Sequence, residues 1–228
     1  MHDYGLVGAV DYSAAMDWYM MAANQGHAFA QCCIGYLYAM GQGVPKDCDE
    51  AMNLYRQAAD QGLPAAQLKI GYMYLTGRGV AQDETVALDW FSKAASRKDT
   101  DIWSQMAMGL MSKHGLGVPK SDSTAFPWFL KAAQQGFPDA QYFVGVMYRN
   151  GEGVSEHSSN AMFWFLKAAN HNYLDAQDDV GTMYYQDLDY LKAENWYAKA
   201  ANLGHEGAKS NLLKLQMMTK ASKWFFWL

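Results

Sequence analysis

The chain is poor in the features that mark several large classes of protein. It has three cysteines, Cys32, Cys33 and Cys48, all in one region of a 228-residue sequence. An odd number confined to one place is not a disulfide framework, which would need cysteine pairs along the whole chain. We therefore expect three reduced thiols, which favours a soluble cytoplasmic protein. A translocated effector and a processed periplasmic protein stay open as alternatives.

Basic clusters and long apolar runs are also lacking. The net charge is −5, and lysine and arginine never form more than short groups. Nucleic acid binding needs a concentrated basic surface that displaces counterions, so we expect no nucleic acid partner. No stretch approaches the roughly 18 apolar residues of a membrane span, and the first residues lack the layout of a secretory signal. We expect no transmembrane segment.

Internal repetition is what the sequence has in abundance. The segment from Ala15 to Glu50 is followed in register by a similar one starting at Ala51, which gives a period of 51 − 15 = 36 residues. Further units start at Ala87, Ala125, Ala161 and Ala193. Periods of this size are typical of helical arrays whose units bury their apolar faces against neighbours. We predict one repeat domain over residues 1–228, which starts within a unit and ends in an apolar tail from residue 214.

The first half of each unit predicts a helix, helix A, with a glycine at its centre. That glycine recurs as Gly35, Gly71, Gly109, Gly145 and Gly181. A glycine inside a helix costs roughly 1 kcal/mol relative to alanine, so its recurrence needs an offsetting gain. We expect close approach to an alanine pair, such as Ala58 and Ala59, on the partner helix. Small residues would then face small residues.

A glycine loop and a second helix, helix B, complete the unit. The loops read GQGV, GRGV, GLGV and GEGV, starting at Gly41, Gly77, Gly115 and Gly151. Such loops resemble phosphate cradles, but those follow a strand, so we interpret these as connectors that cap helix A and pack a valine on the core. Helix B is predicted to begin at Asp47, Asp83, Ser121 and His157, and after a lost loop at Asp187 or Asp189. About eleven helices should extend from Asp11 to Met218.

Helix B carries an aromatic pair in most units. The pairs are Trp18-Tyr19, Trp90-Phe91, Trp128-Phe129, Trp164-Phe165 and Trp196-Tyr197. A position that recurs from unit to unit is one that packing requires, so we interpret these aromatics as core and not as a cofactor site.

The combined pattern resembles the Sel-1-like repeat, a relative of the tetratricopeptide repeat. The motif is A-x-x-x-[YF]-x-x-A-A-x-x-G, then A-Q-x-x-x-G-x-x-Y, then G-x-G-V-x-x-D, and it covers about residues 11 to 213. The resemblance implies an all-α fold, a right-handed α/α superhelix of helical hairpins. It also implies a non-enzymatic scaffold or adaptor that binds a protein or peptide. A structural self-association module, and a bacterial effector that binds host proteins, are the alternatives.

In tetratricopeptide-like arrays helix A lines the inner groove. If the central glycine is the eighth residue of helix A, positions 2, 5, 9, 12 and 13 face the groove. An alternative is that Tyr36, Tyr72 and Leu110 only pack against neighbouring A helices. The predicted partner-binding residues are Phe29, Tyr36, Met40, Leu68, Tyr72, Trp103, Met106, Leu110, His114, Tyr142, Arg149, Asp178 and Tyr185.

The histidines give no sign of a metal or catalytic site. His27 and His205 occupy the same repeat position, and no two of the six histidines have the i, i+4 spacing of a helical metal site. We predict no catalytic residue, no metal and no cofactor.

The last residues, Trp224 to Leu228, are apolar and lie beyond the last recognisable unit. Because an array must cover its terminal apolar face, we expect this tail to fold back or extend the final helix as a cap. Self-association or partner docking through the tail is the first alternative, and interfacial membrane contact the second.

Overall fold

The chain is helical throughout the part that the structure describes. A computed structural model of the protein describes residues 11–96 and 102–225, with side chains through residue 220. These ranges hold twelve helices and no strand, one helix more than expected, because each of six B helices is followed by an A helix. None of these helices is both long enough and apolar enough to cross a membrane.

The helices fall into two compact units, residues 1–120 and 121–228. The first unit contains α1 (Tyr12–Ala23), α2 (Ala28–Met40), α3 (Cys48–Asp60), α4 (Pro64–Thr76), α5 (Glu84–Ala95) and α6 (Ile102–His114). The second contains α7 (Asp122–Gln134), α8 (Pro138–Asn150), α9 (Ser158–Asn170), α10 (Leu174–Gln186), α11 (Tyr190–Asn202) and α12 (Glu206–Phe225). Odd numbers are B helices and even numbers are A helices. The single-domain organisation stays a prediction.

The residues predicted to begin the B helices are their N-terminal caps. Asp47 Oδ1 accepts the backbone N–H groups of Asp49 and Glu50, each at 3.0 Å. His157 Nδ1 accepts the N–H of Asn160 at 3.2 Å. Each contact satisfies a donor that the first helical turn would otherwise leave unpaired. The remaining caps that were predicted are Asp83, Ser121 and, of the two candidates at the lost loop, Asp189.

Four of the five helix-A glycines lie nearest to aromatic rings and not to the alanine pairs, which corrects the expectation from the sequence. A Cβ atom on Gly71 would lie 2.5 Å from Cε1 of Phe91, and one on Gly145 would lie 2.6 Å from Cδ1 of Phe165. The ring fills the space that the missing side chain leaves. Burying it gains about 1.5–3 kcal/mol, more than the roughly 1 kcal/mol that the glycine costs the helix. The same pairing joins Gly35 to Tyr55 and Gly181 to Tyr197.

The alanine pairs instead hold the turn between helix B and the next helix A. The N–H of Leu63 donates to the carbonyl of Ala58 at 3.2 Å, and that of Phe137 to the carbonyl of Ala132 at 3.3 Å. These bonds close the helix end in the manner of a Schellman motif. Both alanines are fully buried, so a larger side chain there would push the two helices apart.

A buried glutamine on helix A ties it to the preceding B helix. Gln141 Nε2 donates to the carbonyl of Ala133 at 3.3 Å, and Gln177 Nε2 donates to that of Ala169 at 3.0 Å. The sequence motif contained this glutamine but did not predict its role. Because the bond reaches across the turn, it fixes the distance between successive helices.

Each unit has its own core, built from these helix pairs. In the first, Tyr55, Ile70 and Met73 are buried together, and the loop valine Val80 packs against them as predicted. In the second, Phe165 and Val180 are buried with the surrounding alanines. Among the described residues, the buried polar side chains are glutamines and serines, and none of the buried side chains is charged.

The junction after α10 is where the repeat departs from its pattern. Gly77 and Gly151 end their A helices in the left-handed conformation, as predicted. After α10 the glycine loop is missing, and Leu188 adopts the left-handed conformation with φ of 63°. A branched side chain in this conformation is strained, so the short junction costs stability.

The final helix, α12, is 20 residues long. Its Leu215 is buried with Tyr197 and Ala208 of the last hairpin. The helix continues through Phe225, which is one of the arrangements expected for the tail. The side chains of Trp224 to Leu228, on which the capping prediction rests, lie outside the described residues.

Candidate partner-binding site

A pocket of about 230 Å³ lies where the last turns of α2 and α4 meet the start of α3 in the first unit. Several of its residues occupy the helix positions predicted to face a groove, among them Tyr36, Met40 and Tyr72. The pocket is lined by Tyr36, Ala39, Met40, Cys48, Tyr55, Lys69, Tyr72, Met73, Thr76 and Arg78.

The repeat itself positions the two exposed tyrosines of this pocket. Tyr36 and Tyr72 are both the ninth residue of their A helix, so they lie on the same face one repeat apart. The Tyr72 ring packs edge-on against Phe91, with centroids 5.1 Å apart, and Phe91 rests on Gly71. The packing of glycine against the ring therefore also sets the position of the tyrosine next to it.

Two cations border the pocket. Lys69 Nζ lies over the Tyr36 ring, 5.2 Å from its centroid, and Arg78 is the variable residue of the GRGV loop. No Asp or Glu is among the lining residues. Within the described ranges, no carboxylate pairs with either cation. The pocket therefore combines apolar walls with a positive edge.

Two thiols and one phenol close to this pocket, those of Cys32, Cys33 and Tyr55, have pKa values raised so that their neutral forms are favoured. Burial, with the neighbouring Cys33 adding to it, raises the pKa of the Cys32 thiol to about 11. Burial also raises the pKa of Cys33 and of Tyr55. A protonated thiol is a poor nucleophile and a poor metal ligand, so this arrangement does not favour thiol chemistry. Cys48, at the first position of α3, is half-buried and reaches the pocket wall.

The remaining residues predicted for the first unit lie outside this pocket. Phe29, Trp103 and His114 are exposed on their A helices, and Leu110 is half-buried. Leu68 and Met106, both at position 5, are only 6% and 7% exposed and pack inside the unit. We therefore assign these two side chains to packing.

In the second unit the predicted residues Tyr142 and Arg149 contact other side chains of the same unit. Arg149 forms an ion pair with Asp179, and its guanidinium lies over the Phe165 ring at 5.2 Å. Tyr142 stacks on Tyr173 with ring centroids 4.9 Å apart. Burial, followed by the negative charge of Asp179, raises the pKa of Tyr142, which therefore stays neutral. These contacts hold Tyr142 and Arg149 within the second unit.

The acidic residues of the second unit also have partners. Asp178 accepts a hydrogen bond from Asn211 Nδ2 at 2.9 Å, and Asp175 lies 2.9 Å from His205 Nε2. The hydroxyl of Tyr185 donates to the sulfur of Met218 at 3.6 Å. Asp178 and Tyr185 therefore contact α12, which is the next A helix along the chain.

Sequence reasoning missed Lys69, Arg78, Cys48, Tyr55 and Met73, all of which line the pocket. The signal that could have found Arg78 is its place as the variable residue of a loop whose other members recur. Lys69 stands at position 6 of helix A, which the assumed groove positions left out. The structure also places no three His, Cys, Asp or Glu side chains of the described residues where they could hold a metal.

Comparison with known families gives the repeat a name. The profile of the Sel1 repeat matches residues 1–27, 28–63, 64–99, 104–137, 138–173 and 174–205. The chain belongs to the Sel1-repeat family. From the second match onward, each Sel1 repeat pairs an A helix with the B helix that follows it. The resemblance to this family and the all-α solenoid fold class, both predicted from the sequence, are confirmed.

Two solved structures share sequence and fold with this Sel1-repeat chain. One is c5321, a protective antigen present in uropathogenic Escherichia coli strains that displays an SLR fold. It is 34% identical with a TM-score of 0.84, and the match covers 90% of this chain but only 44% of c5321. The other, a Sel1 repeat protein from Oxalobacter formigenes, is 31% identical with a TM-score of 0.76, over 88% of this chain and 81% of that one.

More distant similarity extends only to the fold. Immunity protein Pa5087 from Pseudomonas aeruginosa is 18% identical with a TM-score of 0.53, over 92% of this chain and 76% of that one. Comparison with curated proteins finds no match. Sel1-repeat proteins generally act as scaffolds for protein interaction, and the family is typically non-catalytic.

Proposed function

We propose that this Sel1-repeat chain is a non-enzymatic scaffold that binds a protein or peptide at the pocket between α2 and α4. The observation that carries the proposal is the pair Tyr36 and Tyr72, at equivalent positions of successive repeats and each 38% exposed at a pocket. Tyrosine supplies a large contact area at little cost in conformational entropy, and methionines such as Met40 adapt to different partners.

The size of the pocket supports a peptide side chain as its occupant. Pockets for complete small-molecule ligands enclose about 300–1,000 Å³. At about 230 Å³ this pocket is smaller, so it suits one anchoring side chain of a longer segment. The exposed Phe29, Trp103 and His114 offer further contacts for the rest of such a segment on the same unit.

Selection from a library of random peptides displayed on phage would test this function. Peptides that bind the full chain should lose binding to a Tyr36→Ala/Tyr72→Ala variant. They should retain it with Phe163→Ala, which removes an exposed aromatic side chain from the second unit. If the selected peptides bind the tyrosine variant and the control equally well, the pocket is not the binding site.

A second variant distinguishes loss of the binding surface from loss of folding. Tyr72 packs on Phe91, so its removal could disturb the unit. Met40→Ser changes an exposed residue at the pocket and should weaken the same peptides without lowering the melting temperature. Unchanged peptide affinity in a folded Met40→Ser protein would also count against the pocket.

Exposed apolar residues on α1 favour self-association as a second candidate function. Trp18, which the sequence predicted to be a core residue, is instead 72% exposed, and Met21 on the same helix is 60% exposed. Large apolar side chains grouped on one surface often mark an interface. If α1 joins two copies, Trp18→Ser/Met21→Ser should turn a dimer into a monomer in analytical ultracentrifugation. A wild-type protein that sediments as a monomer at every concentration would exclude this candidate.

A further inference from the structure

Among the described residues, no carboxylate pairs with either cation at the pocket of the first unit. Elsewhere in the described chain some lysines pair with a carboxylate, as Lys93 does with Asp89 and Lys209 with Glu206, while others, such as Lys131, lie over an aromatic ring instead. The pocket has Lys69 and Arg78 but no carboxylate in its lining. The whole chain nevertheless carries a net charge of −5. Two cations at one apolar pocket are therefore a local reversal of the overall charge.

An occupant of the pocket would change the surroundings of these cations. An apolar side chain placed between the tyrosines removes water from Lys69, whose ammonium already lies over the Tyr36 ring. Desolvating a cation is costly unless an anion pairs with it, so an occupant that brings a carboxylate binds better than one that does not. An occupant that brings a lysine or arginine is repelled.

The second unit offers a comparison at equivalent helix positions. Position 6 of helix A is Lys69 in α4 but Asp179 in α10, where the carboxylate pairs with Arg149. The variable loop residue is Arg78 after α4 but Glu152 after α8, where it accepts a hydrogen bond from Asn150. The second unit thus has an anion at each of these positions, one in α10 and one after α8, whereas around α4 both positions hold cations that no carboxylate of the described residues pairs with.

We infer that the pocket between α2 and α4 selects an acidic peptide segment. An aliphatic or aromatic side chain of the segment lies against Tyr36 and Tyr72, and a nearby Asp or Glu reaches Lys69 and Arg78. This inference rests on the proposed function and adds the chemistry of the partner. The apolar walls favour a peptide over an inorganic anion, since phosphate would leave the tyrosine surface uncovered.

The composition of the peptides selected from the phage library tests the inference. Peptides that depend on Tyr36 and Tyr72 should be enriched in Asp or Glu beside an aliphatic or aromatic residue. The best of them, made synthetically, should lose about tenfold or more in affinity when its acidic residues become Asn or Gln. Dependence on the tyrosines without acidic enrichment would overturn the charge inference and leave the proposed function standing. Absence of any tyrosine-dependent peptide would overturn both.

Charge reversal with a matched control sharpens the result. Lys69→Glu/Arg78→Glu should abolish binding of the acidic peptide, whereas Lys131→Glu/Lys199→Glu makes the same change in net charge on the second unit and should leave affinity within about twofold. Equal losses in both variants would mean that the peptide responds only to overall charge, against the inference. Inorganic phosphate that displaces the peptide from wild-type protein would indicate a simple anion site and would also overturn it.

Cysteine alkylation places the bound peptide without any mutation. Cys48 lines the pocket and Cys33 does not, although both thiols are half-buried. Saturating acidic peptide should slow the alkylation of Cys48 by iodoacetamide relative to that of Cys33, as read by mass spectrometry of peptide fragments. Equal protection of the two thiols, or none, would place the peptide elsewhere and contradict the inference.

Discussion

Phe91 fills the space beside Gly71 in the first unit, and Phe165 fills the space beside Gly145 in the second. On the exposed face of helix A the two units differ. Lys69 and Tyr72 of α4 correspond to Asp179 and Thr182 of α10. The contrast shows that the Sel1 repeat constrains the residues between its helices much more tightly than those on the face of helix A. Repeats that pack their helices in the same way can therefore differ in function.

Substitution of the buried aromatic rings that both units share should have the largest effect on stability. Phe91→Ala and Phe165→Ala each remove a fully buried ring, so each should lower the free energy of unfolding by about 3–5 kcal/mol. Urea denaturation followed by circular dichroism measures the loss, and hydrogen exchange should show it mainly in the mutated unit. Phe163→Ala, on the same helix as Phe165 but 52% exposed, is the control and should cost less than about 1 kcal/mol. A control as costly as Phe165→Ala would refute the assignment of the core ring.

Substitution of a charged residue should lower stability more in the second unit than in the first. Arg149→Ala leaves the carboxylate of Asp179, whose side chain is only 18% exposed, without its cation. It should cost about 1–2 kcal/mol, less than for a fully buried pair because Arg149 is itself 38% exposed. Lys69→Ala removes no ion pair and should stay within about 0.5 kcal/mol. The comparison fails if the two substitutions lower the melting temperature equally.

Glycine substitutions in two turns should raise the stability of the protein instead of lowering it. The position held by Gly62 in the first unit is Asn172 in the second, with φ of 61°, and Leu188 has φ of 63°. Because a side chain is strained in this conformation, Leu188→Gly should stabilise the protein by about 1 kcal/mol and Asn172→Gly by somewhat less. Asn170→Gly, at the last residue of α9, is the control and should destabilise. Thermal melting measures these changes, and a lower melting temperature in Leu188→Gly would contradict the claim that the turn at Leu188 is strained.

The smallest effect is a difference in pH dependence between two aspartates of the second unit. Burial raises the pKa of Asp179 above its ordinary 3.8, although Arg149 opposes the shift. The hydrogen bond from Lys192 lowers the pKa of Asp189 below 3.8. A raised pKa means that the folded protein binds the proton more tightly, so the contribution of Asp179 to stability falls as pH rises from 3.8 through its folded pKa. The contribution of Asp189 is present above 3.8 and is lost as pH falls through its lowered pKa.

Melting temperatures between about pH 3 and 6 would show this difference. The loss of stability on Asp179→Asn should shrink as pH rises, and the loss on Asp189→Asn should grow. The test compares how each loss changes with pH and not its size, because replacing a carboxylate by an amide also alters the hydrogen bonds of the side chain. Parallel slopes for the two variants would show that burial does not dominate at Asp179.

Many features of the repeat, such as its helix caps and loop turns, could be predicted from the sequence because they depend on contacts between residues close together in the chain. Asp47 caps a helix that starts at the next residue, and Gly77 ends a helix within a few residues of its own loop. Such features recur every 36 residues and can be recognised in any one unit. The glycine at the centre of helix A can be recognised in the same way, but the residue that packs against it cannot. The pattern says that something packs closely there, whereas only the packed helices show that it is an aromatic ring.

The candidate site was predicted only in part for the same reason. Tyr36, Met40 and Tyr72 follow from helix positions that the repeat shares. Leu68 occupies an equally regular position but is buried, because the angle at which α4 packs on its neighbours decides how far position 5 is covered. Arg78 comes to the pocket from a loop that is 78 − 36 = 42 residues beyond Tyr36 in the chain.

By itself, the sequence determined the Sel1-repeat family, the order of helices, the caps and the loop turns of this protein. Backbone hydrogen bonds and dihedral angles link residues a few positions apart, so their chemistry can be read along the chain. Only the tertiary structure decided that Phe91 and not an alanine lies beside Gly71, and that Lys69 and Arg78 border a pocket between α2 and α4. Those contacts join residues from different helices, and burial and charge pairing exist only once the helices are packed.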